Sequence, residues 1–268
     1  LGTIVEMRVS GLPLRAARTA LERAFAAVAR VHALMSPLEP TSDVAQLNRS
    51  ACGQPVRVDP WTYRVLLAAF LLSDFSEGAF DITVFPCSKN GGRPPTKGNW
   101  CDIVLLSDHR VRFARPLRID LGGIAKGFAV DRAIEILREA GAGAGIVNAG
   151  GDLRAFGPTP ERIHVRHPAR PHELIAATEL VEEAMATSAN YFDTRGAGRL
   201  LRPGGRRLWL GRGSVSVRAQ NCLLADALCK VVAAVGPRRS APLLQTCSAS
   251  ALVLTRRGRL YHEDLHAA

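Results

Sequence analysis

The sequence predicts a mixed α+β fold, one body over residues 1–268 with largely antiparallel sheets and packed helices. Three observations carry this reading. Helix-like and strand-like periodicities are interleaved without the regular βαβ beat of a doubly wound parallel sheet. No linker and no internal repeat divides the chain. Finally, 268 residues with 47% hydrophobic and 22% charged side chains suffice to bury a core without a disulfide or metal staple.

The elements follow in order. Leu1–Val9 alternates like a strand, and Leu14–Met35 places Ala17, Ala20, Leu21, Phe25, Val28, Val31 and Leu34 at helical spacing. A polar, proline-punctuated stretch, Ser36–Asn48, precedes a helix at Trp61–Phe75 entered through Pro60. Ser76–Pro86 leads into an exposed Gly/Pro/Lys-rich loop, Cys87–Gly98. Strands are expected at Cys101–Leu106 and Val111–Phe113, then a helix at Phe128–Ala140 that stops at Gly141. The second half reads as strands at Ala144–Asn148, Arg162–Arg166, Leu174–Glu182 and Leu208–Val217. A helix at Leu223–Val235 and a hairpin through Ala251–His262 complete it.

The formal net charge of +11 raises a nucleic-acid reading. Arginine, however, is spread along the whole chain, and lysine occurs only at Lys89, Lys97, Lys126 and Lys230. No basic stripe results, so nucleic acid is set aside as a partner, while anionic small molecules such as nucleotides fit the charge equally well. The longest apolar run, Val65–Leu72, falls far short of the ~20 residues that span a bilayer, so no integral membrane segment is expected. The six cysteines form no C-x-x-C pair and no zinc spacing; reduced thiols lean towards the cytoplasm. No signal peptide is visible, but the chain opens on Leu1, so a removed leader and a periplasmic location stay open.

Three runs pair glycine with acidic residues. In Ser76-Glu77-Gly78-Ala79-Phe80-Asp81-Ile82-Thr83, small residues admit a ligand to the backbone, and Asp81 and Thr83 share one side of an extended chain. In Asp120-Leu121-Gly122-Gly123-Ile124-Ala125-Lys126-Gly127, a strand end meets a helix start, so free N–H groups and Lys126 form an anion site suited to a diphosphate. Asn148-Ala149-Gly150-Gly151-Asp152 follows an apolar strand. A plain turn, a glycine-assisted crossover and a hairpin turn, respectively, account for these runs as well.

Their order resembles the flavin transferases of the ApbE type, which move FMN from FAD onto a target protein. The matching stretches are Leu1-Gly2-Thr3, Ser36 through Leu47-Asn48, Ser76–Thr83, Asp120–Gly127 continuing through Ala129-Val130-Asp131, Asn148–Asp152, Ala186-Thr187-Ser188 and Ala225-Asp226-Ala227-Leu228. The resemblance implies a T-fold-like body with FAD as substrate in a cleft and Mg2+ on its diphosphate. It further implies attack by a Ser or Thr hydroxyl of an acceptor protein, with release of AMP. By position, Leu1, Leu38, Ala79, Phe80, Asp81, Asp120, Lys126 and Arg199 are the implied FAD contacts. Asp226, Lys126 and Arg199 are the implied catalytic groups, and Gly123, Asp226 and Lys230 the metal position.

The chain departs from this family pattern at three places. Lys230 stands where the family usually has a Thr one helical turn after the metal Asp, and an ammonium there shares a face with Asp226. A protonated Lys cannot ligate a hard cation, so the magnesium site is expected to be weakened or replaced by a tethered single charge. Arg199-Leu200-Leu201-Arg202-Pro203 stands near the place of a His-Ile-Ile-Asp-Pro segment, and a guanidinium clamps phosphate but accepts no proton. Leu38 stands where a Tyr is common and loses ring stacking. Two other readings stay open on these grounds: a degenerate relative that binds nucleotide in a regulatory role, and hydrolysis of FAD to FMN and AMP.

Overall fold

The alternation that opens the chain becomes β1 (Val5–Ser10), antiparallel to β5 (Ala144–Ala149) with Val5 opposite Ala149. The structure is a computed structural model describing residues 2–83, 98–189, 210, 213–255 and 260–263. β5 turns through Gly150 and Gly151 into β6 (Asp152–Phe156), placing Ala149 opposite Asp152. Both glycines take positive φ, 68° and 97°, which a two-residue hairpin turn demands. Beside β6 lie β9 (Ala184–Ala189), β10 (Ser214–Ala219), β11 (Ser250–Leu254) and β12 (Leu260–Glu263), in the spatial order β1-β5-β6-β9-β10-β11-β12. A second sheet joins β2 (Val56–Arg57), β4 (Arg110–Phe113) and β3 (Ile103–Leu106), and β7 (Glu161–His167) pairs with β8 (Arg170–Leu180). Every pairing among the described residues is antiparallel.

Helix α1 (Leu14–Met35) packs against α4 (Ala125–Glu139) and buries Ala20, Val28 and Val31 of the predicted stripe together with Ala24 and Met35, whereas Phe25 of that stripe is exposed. α4 buries Phe128, Ile134 and Leu137, each contributing roughly 1.5–3 kcal/mol by its removal from water. α3 (Pro60–Phe75) starts where expected: Asp59 accepts from Trp61 N–H, and Pro60 fills a first-turn position that needs no donor. α5 (Cys222–Val235) is buried along most of its length between α4 and strands β9 and β10.

Several elements differ from the sequence expectation. Part of the polar Ser36–Asn48 stretch folds as α2 (Asp43–Ser50), capped by Ser42 accepting from Ala45 N–H at 3.0 Å. Its Asp43 accepts from Asp59 N–H (2.9 Å) and Thr62 Oγ1 (2.6 Å), fastening α2 to the start of α3. Pro237–Thr246 forms α6 despite Pro242 inside it, and Gly236 at φ 86° separates it from α5. Trp100–Asp102 is a capped 3-10 turn before β3, and α4 begins three residues earlier than expected, inside the glycine run. β10 starts at Ser214 and runs to Ala219; residues 208 and 209 lie outside the described residues, as does most of the expected loop Cys87–Gly98.

Candidate active site at the crossing of α4 and α5

Two residues of α4, Gly127 and Asp131, fix where it crosses α5. At Gly127 a Cβ would stand 2.2 Å from the Cys222 carbonyl oxygen, so only glycine lets the backbones meet this closely. One turn later, Asp131 accepts from Cys222 N–H and Leu223 N–H, each at 2.9 Å, and pairs with Arg154 at 2.8 Å. Asn221 accepts from Leu224 N–H, so α5 enters the core with its first amides satisfied. Burial pushes the Asp131 carboxyl up, with Arg154 and the two amides opposing.

This crossing assembles a buried ion cluster. Asp226 on α5 is fully buried, and its Oδ2 accepts from Gly127 N–H at 3.2 Å in the first turn of α4. Lys126 Nζ lies 3.3 and 3.2 Å from the two Asp226 oxygens, 2.9 Å from Asp152 Oδ2 and 3.2 Å from the Gly122 carbonyl. Lys230, one turn after Asp226, places its Nζ 2.5 Å from Asp226 Oδ1 and 2.8 Å from Ser188 Oγ on β9. Two carboxylates thus face two ammoniums. Burial pushes Asp226 up, but Lys126 and Lys230 outweigh it and hold the carboxyl at about 2. Burial, with the Asp226 charge beside it, pushes Asp152 up against both lysines. Burial would lower Lys126, yet Asp226 and Asp152 reverse that and keep it charged.

The first two glycine runs meet above this cluster. Asp120 N–H donates to the Ile82 carbonyl at 2.8 Å, and Asn48 bonds both backbone groups of Ile119, at 2.7 and 3.0 Å. A Cβ on Gly123 would lie 3.4 Å from Lys230 Cγ and 3.6 Å from the Phe80 ring, so Gly123, Lys230 and Phe80 form one wall. Asp81 and Asp120 each use an oxygen within their own turns, from Thr83 N–H and Gly122 N–H, both at 2.8 Å. Burial raises the Asp81 carboxyl against these backbone contacts.

Of the predicted site residues, the structure therefore brings together Phe80, Asp120, Gly123, Lys126, Asp226 and Lys230, with Ala79 and Asp81 in the adjoining turn. Leu38 lies on a loop, 88% exposed, and none of its described bonds joins the cluster. Leu1 and Arg199 lie outside the described residues. The sequence assigns no role to Ser188, and to Asp152 only a place in the Asn148–Asp152 run of the expected FAD cleft. The Gly-Gly-Asp run at the end of an apolar strand and the Ala186-Thr187-Ser188 stretch were the available signals. A hollow of about 230 Å³ lies elsewhere, against Leu47, Arg49, Cys52 and Phe113, and holds none of the predicted residues.

The cluster does not fit a magnesium ion. Mg2+ needs near-octahedral oxygen ligands at about 2.0–2.1 Å. Both Asp226 oxygens already receive ammonium or amide donors, and Lys230 Nζ holds Ser188 Oγ as well. Among the described residues, no group of three or more His, Cys, Asp or Glu side chains is arranged to hold a metal. The two ammoniums already neutralise the two carboxylates, so the cluster offers a doubly charged ion no net negative charge.

Comparison with known proteins places this geometry. The sequence profile of the ApbE family matches residues 1–253. The chain is 29% identical over 262 residues to the FAD:protein FMN transferase of Rhodobacter capsulatus, a match covering 88% of this chain and 50% of that protein. With the FAD:protein FMN transferase of Vibrio cholerae serotype O1 it shares 26% identity over 255 residues, covering 83% and 75%. The chain thus spans only half the length of the Rhodobacter relative. The crystal structure of the ApbE protein of Thermotoga maritima superimposes with a TM-score of 0.84 at 27% identity, covering 98% of this chain and 94% of that one. A structure of the flavin transferase ApbE of Vibrio cholerae gives 0.79 at 24% identity over the same shares, a likeness of fold. On the profile match across nearly its whole length, this chain belongs to the ApbE family.

Proposed function

We propose that the chain is an FAD:protein FMN transferase that moves FMN from FAD to a Ser or Thr hydroxyl of an acceptor protein and releases AMP. The observation that carries this reading is the meeting of the 79–83 and 119–127 runs over two lysines held by buried acids. The names of the relatives support it. The acceptor hydroxyl oxygen forms a bond to the FMN-side phosphorus and its proton passes to water, while the bond from that phosphorus to the bridging oxygen breaks and AMP carries the bridging oxygen away. Negative charge grows on the leaving phosphate, and a preorganised cation at that place lowers the barrier.

The residues divide the work. Lys126 directs its donors to Gly122, Asp152 and Asp226, so it fixes the glycine loop and adds positive potential at the start of α4. Because the two acids keep it protonated, it does not take up the acceptor proton. Lys230 spends two of its three N–H donors on Asp226 and Ser188 among the described residues, which leaves one for a phosphate oxygen. Phe80 and Gly123 form the wall on which a ring or phosphate rests. Arg199, by its chemistry, clamps phosphate bidentately.

Incubation with FAD and an acceptor domain carrying the target Thr, followed by intact-mass spectrometry, tests the reading. An FMN increment on the acceptor and AMP in the supernatant are expected. The contact of Lys230 with Asp226 favours one rival, a nucleotide-binding relative without transferase activity. FAD binding with no increment would select that rival, and AMP release without acceptor would select hydrolysis.

A further inference from the structure

We infer that Lys230 is a built-in cation that occupies the place of a divalent ion, so that this chain handles its anionic substrate without magnesium. The argument starts from the room available. The Lys230 stem runs along Gly123, where even an added Cβ would reach ordinary contact with its Cγ and Cε. Its ammonium ends between Asp226 Oδ1 and Ser188 Oγ, at 2.5 and 2.8 Å. The oxygens an ion would recruit from α5 and β9 are therefore already bound to one tethered charge. Lys126 and Gly127 N–H hold the other side of the carboxylate.

The charge count points the same way. Asp152 and Asp226 balance Lys126 and Lys230, so the cluster is neutral as it stands, and a divalent ion would leave a buried excess of two positive charges. With Thr at position 230 the cluster would carry one net negative charge and offer a hydroxyl on the same helix face as Asp226, four residues back. A single substitution therefore separates a neutral cluster whose oxygens are already taken from a negatively charged one that attracts a divalent ion. Sequence supplies the means: an i, i+4 spacing on α5 delivers Lys230 to Asp226 without any change in the backbone.

The part of this inference that concerns FAD rests on the transferase reading, while the part that concerns metal rests on the cluster alone. Calorimetric titration of magnesium chloride into the purified chain, with and without FAD, is expected to show no saturable heat up to millimolar ion. Lys230→Thr is expected to gain saturable binding, at least roughly tenfold tighter, that disappears in the Lys230→Thr/Asp226→Asn double variant. Should Lys230→Thr not fold, Lys230→Met in EDTA is expected to weaken FAD binding roughly tenfold, with no rescue by magnesium. Saturable, Asp226-dependent magnesium binding by the unaltered chain, or FAD binding indifferent to Lys230→Met, overturns the inference. The two readings fail separately. A chain that binds magnesium and transfers FMN defeats this inference alone, and one that refuses both magnesium and FAD defeats the transferase reading alone.

Discussion

Replacing Asp226 by Asn keeps the volume at the α4–α5 crossing but removes the charge that two ammoniums share. In the native chain its Oδ1 lies 2.5 Å from Lys230, and its Oδ2 3.2 Å from both Lys126 and Gly127 N–H. Lys126 keeps Asp152 at 2.9 Å, but Lys230 keeps only neutral acceptors, the Ser188 hydroxyl and the Asn amide oxygen, leaving one part-buried cation uncompensated. Removing one partner of a buried pair costs about 3–5 kcal/mol. At about 2–4 °C per kcal/mol for a chain near this size, the melting midpoint should fall by roughly 10 °C at pH 7. The loss should also depend on pH. Asp226 titrates at about 2 in the fold, against an ordinary carboxylate value near 3.9 unfolded. A depressed carboxylate contributes stability that is present above the unfolded value and lost as pH falls from about 4 towards 2, here about 2–3 kcal/mol. Asp152 runs the other way: burial and the Asp226 charge raise it, so its contribution is present at low pH and lost as pH rises through its folded value. Removing the Asp226 charge relieves Asp152 and returns part of the loss. Thermal melts of both proteins from pH 2.5 to 7 should therefore converge at the acid end. An Asn variant melting within 2 °C of the native chain at pH 7, with an unchanged acid limb, would refute the reasoning.

Three further changes probe the supports of the site. Gly127→Ala should lower stability by roughly 2–3 kcal/mol in urea despite its better helix propensity, because its Cβ would meet the Cys222 carbonyl at 2.2 Å; a stabilised variant would show that the crossing is looser. Asp131→Ala strips Cys222 N–H, Leu223 N–H and Arg154 of their acceptor and should cost about 3 kcal/mol or more, whereas a urea-measured loss under 1 kcal/mol would deny the capping role. Leu38→Tyr, at an 88% exposed position, should leave stability within about 0.5 kcal/mol and tighten FAD binding about fivefold by ring stacking; unchanged affinity in a flavin fluorescence titration would remove Leu38 from the binding surface.

Where burial is one-sided, the sequence is legible. α1 and β1 carry the period of the face they bury, and Pro60 behind Asp59 marks the entry to α3. The elements that escaped lack such a mark. α2 is polar and held by the Asp43 contacts to Asp59 and Thr62, which no local pattern announces. α6 carries Pro242, a usual helix breaker, in the middle of its ten residues. β9, buried for most of its length, shows little alternation in Ala-Met-Ala-Thr-Ser-Ala. At the site, the order of the motifs and the i, i+4 spacing placed Lys230 on Asp226 in advance. Its bond to Ser188, and the burial of Asp152 under Lys126, depend on β6 and β9 lying side by side, a consequence of sheet order that no single motif encodes.

The claim that this cluster serves a dinucleotide's phosphates is tested most directly by titrating FAD, and in parallel riboflavin, into the purified chain in EDTA and following flavin fluorescence. Saturable FAD binding is predicted, roughly a hundredfold tighter than riboflavin and weakened by Lys126→Met, because charge-assisted contacts to phosphate supply the difference. Equal affinity for the two flavins, or no binding of FAD at all, would contradict the account.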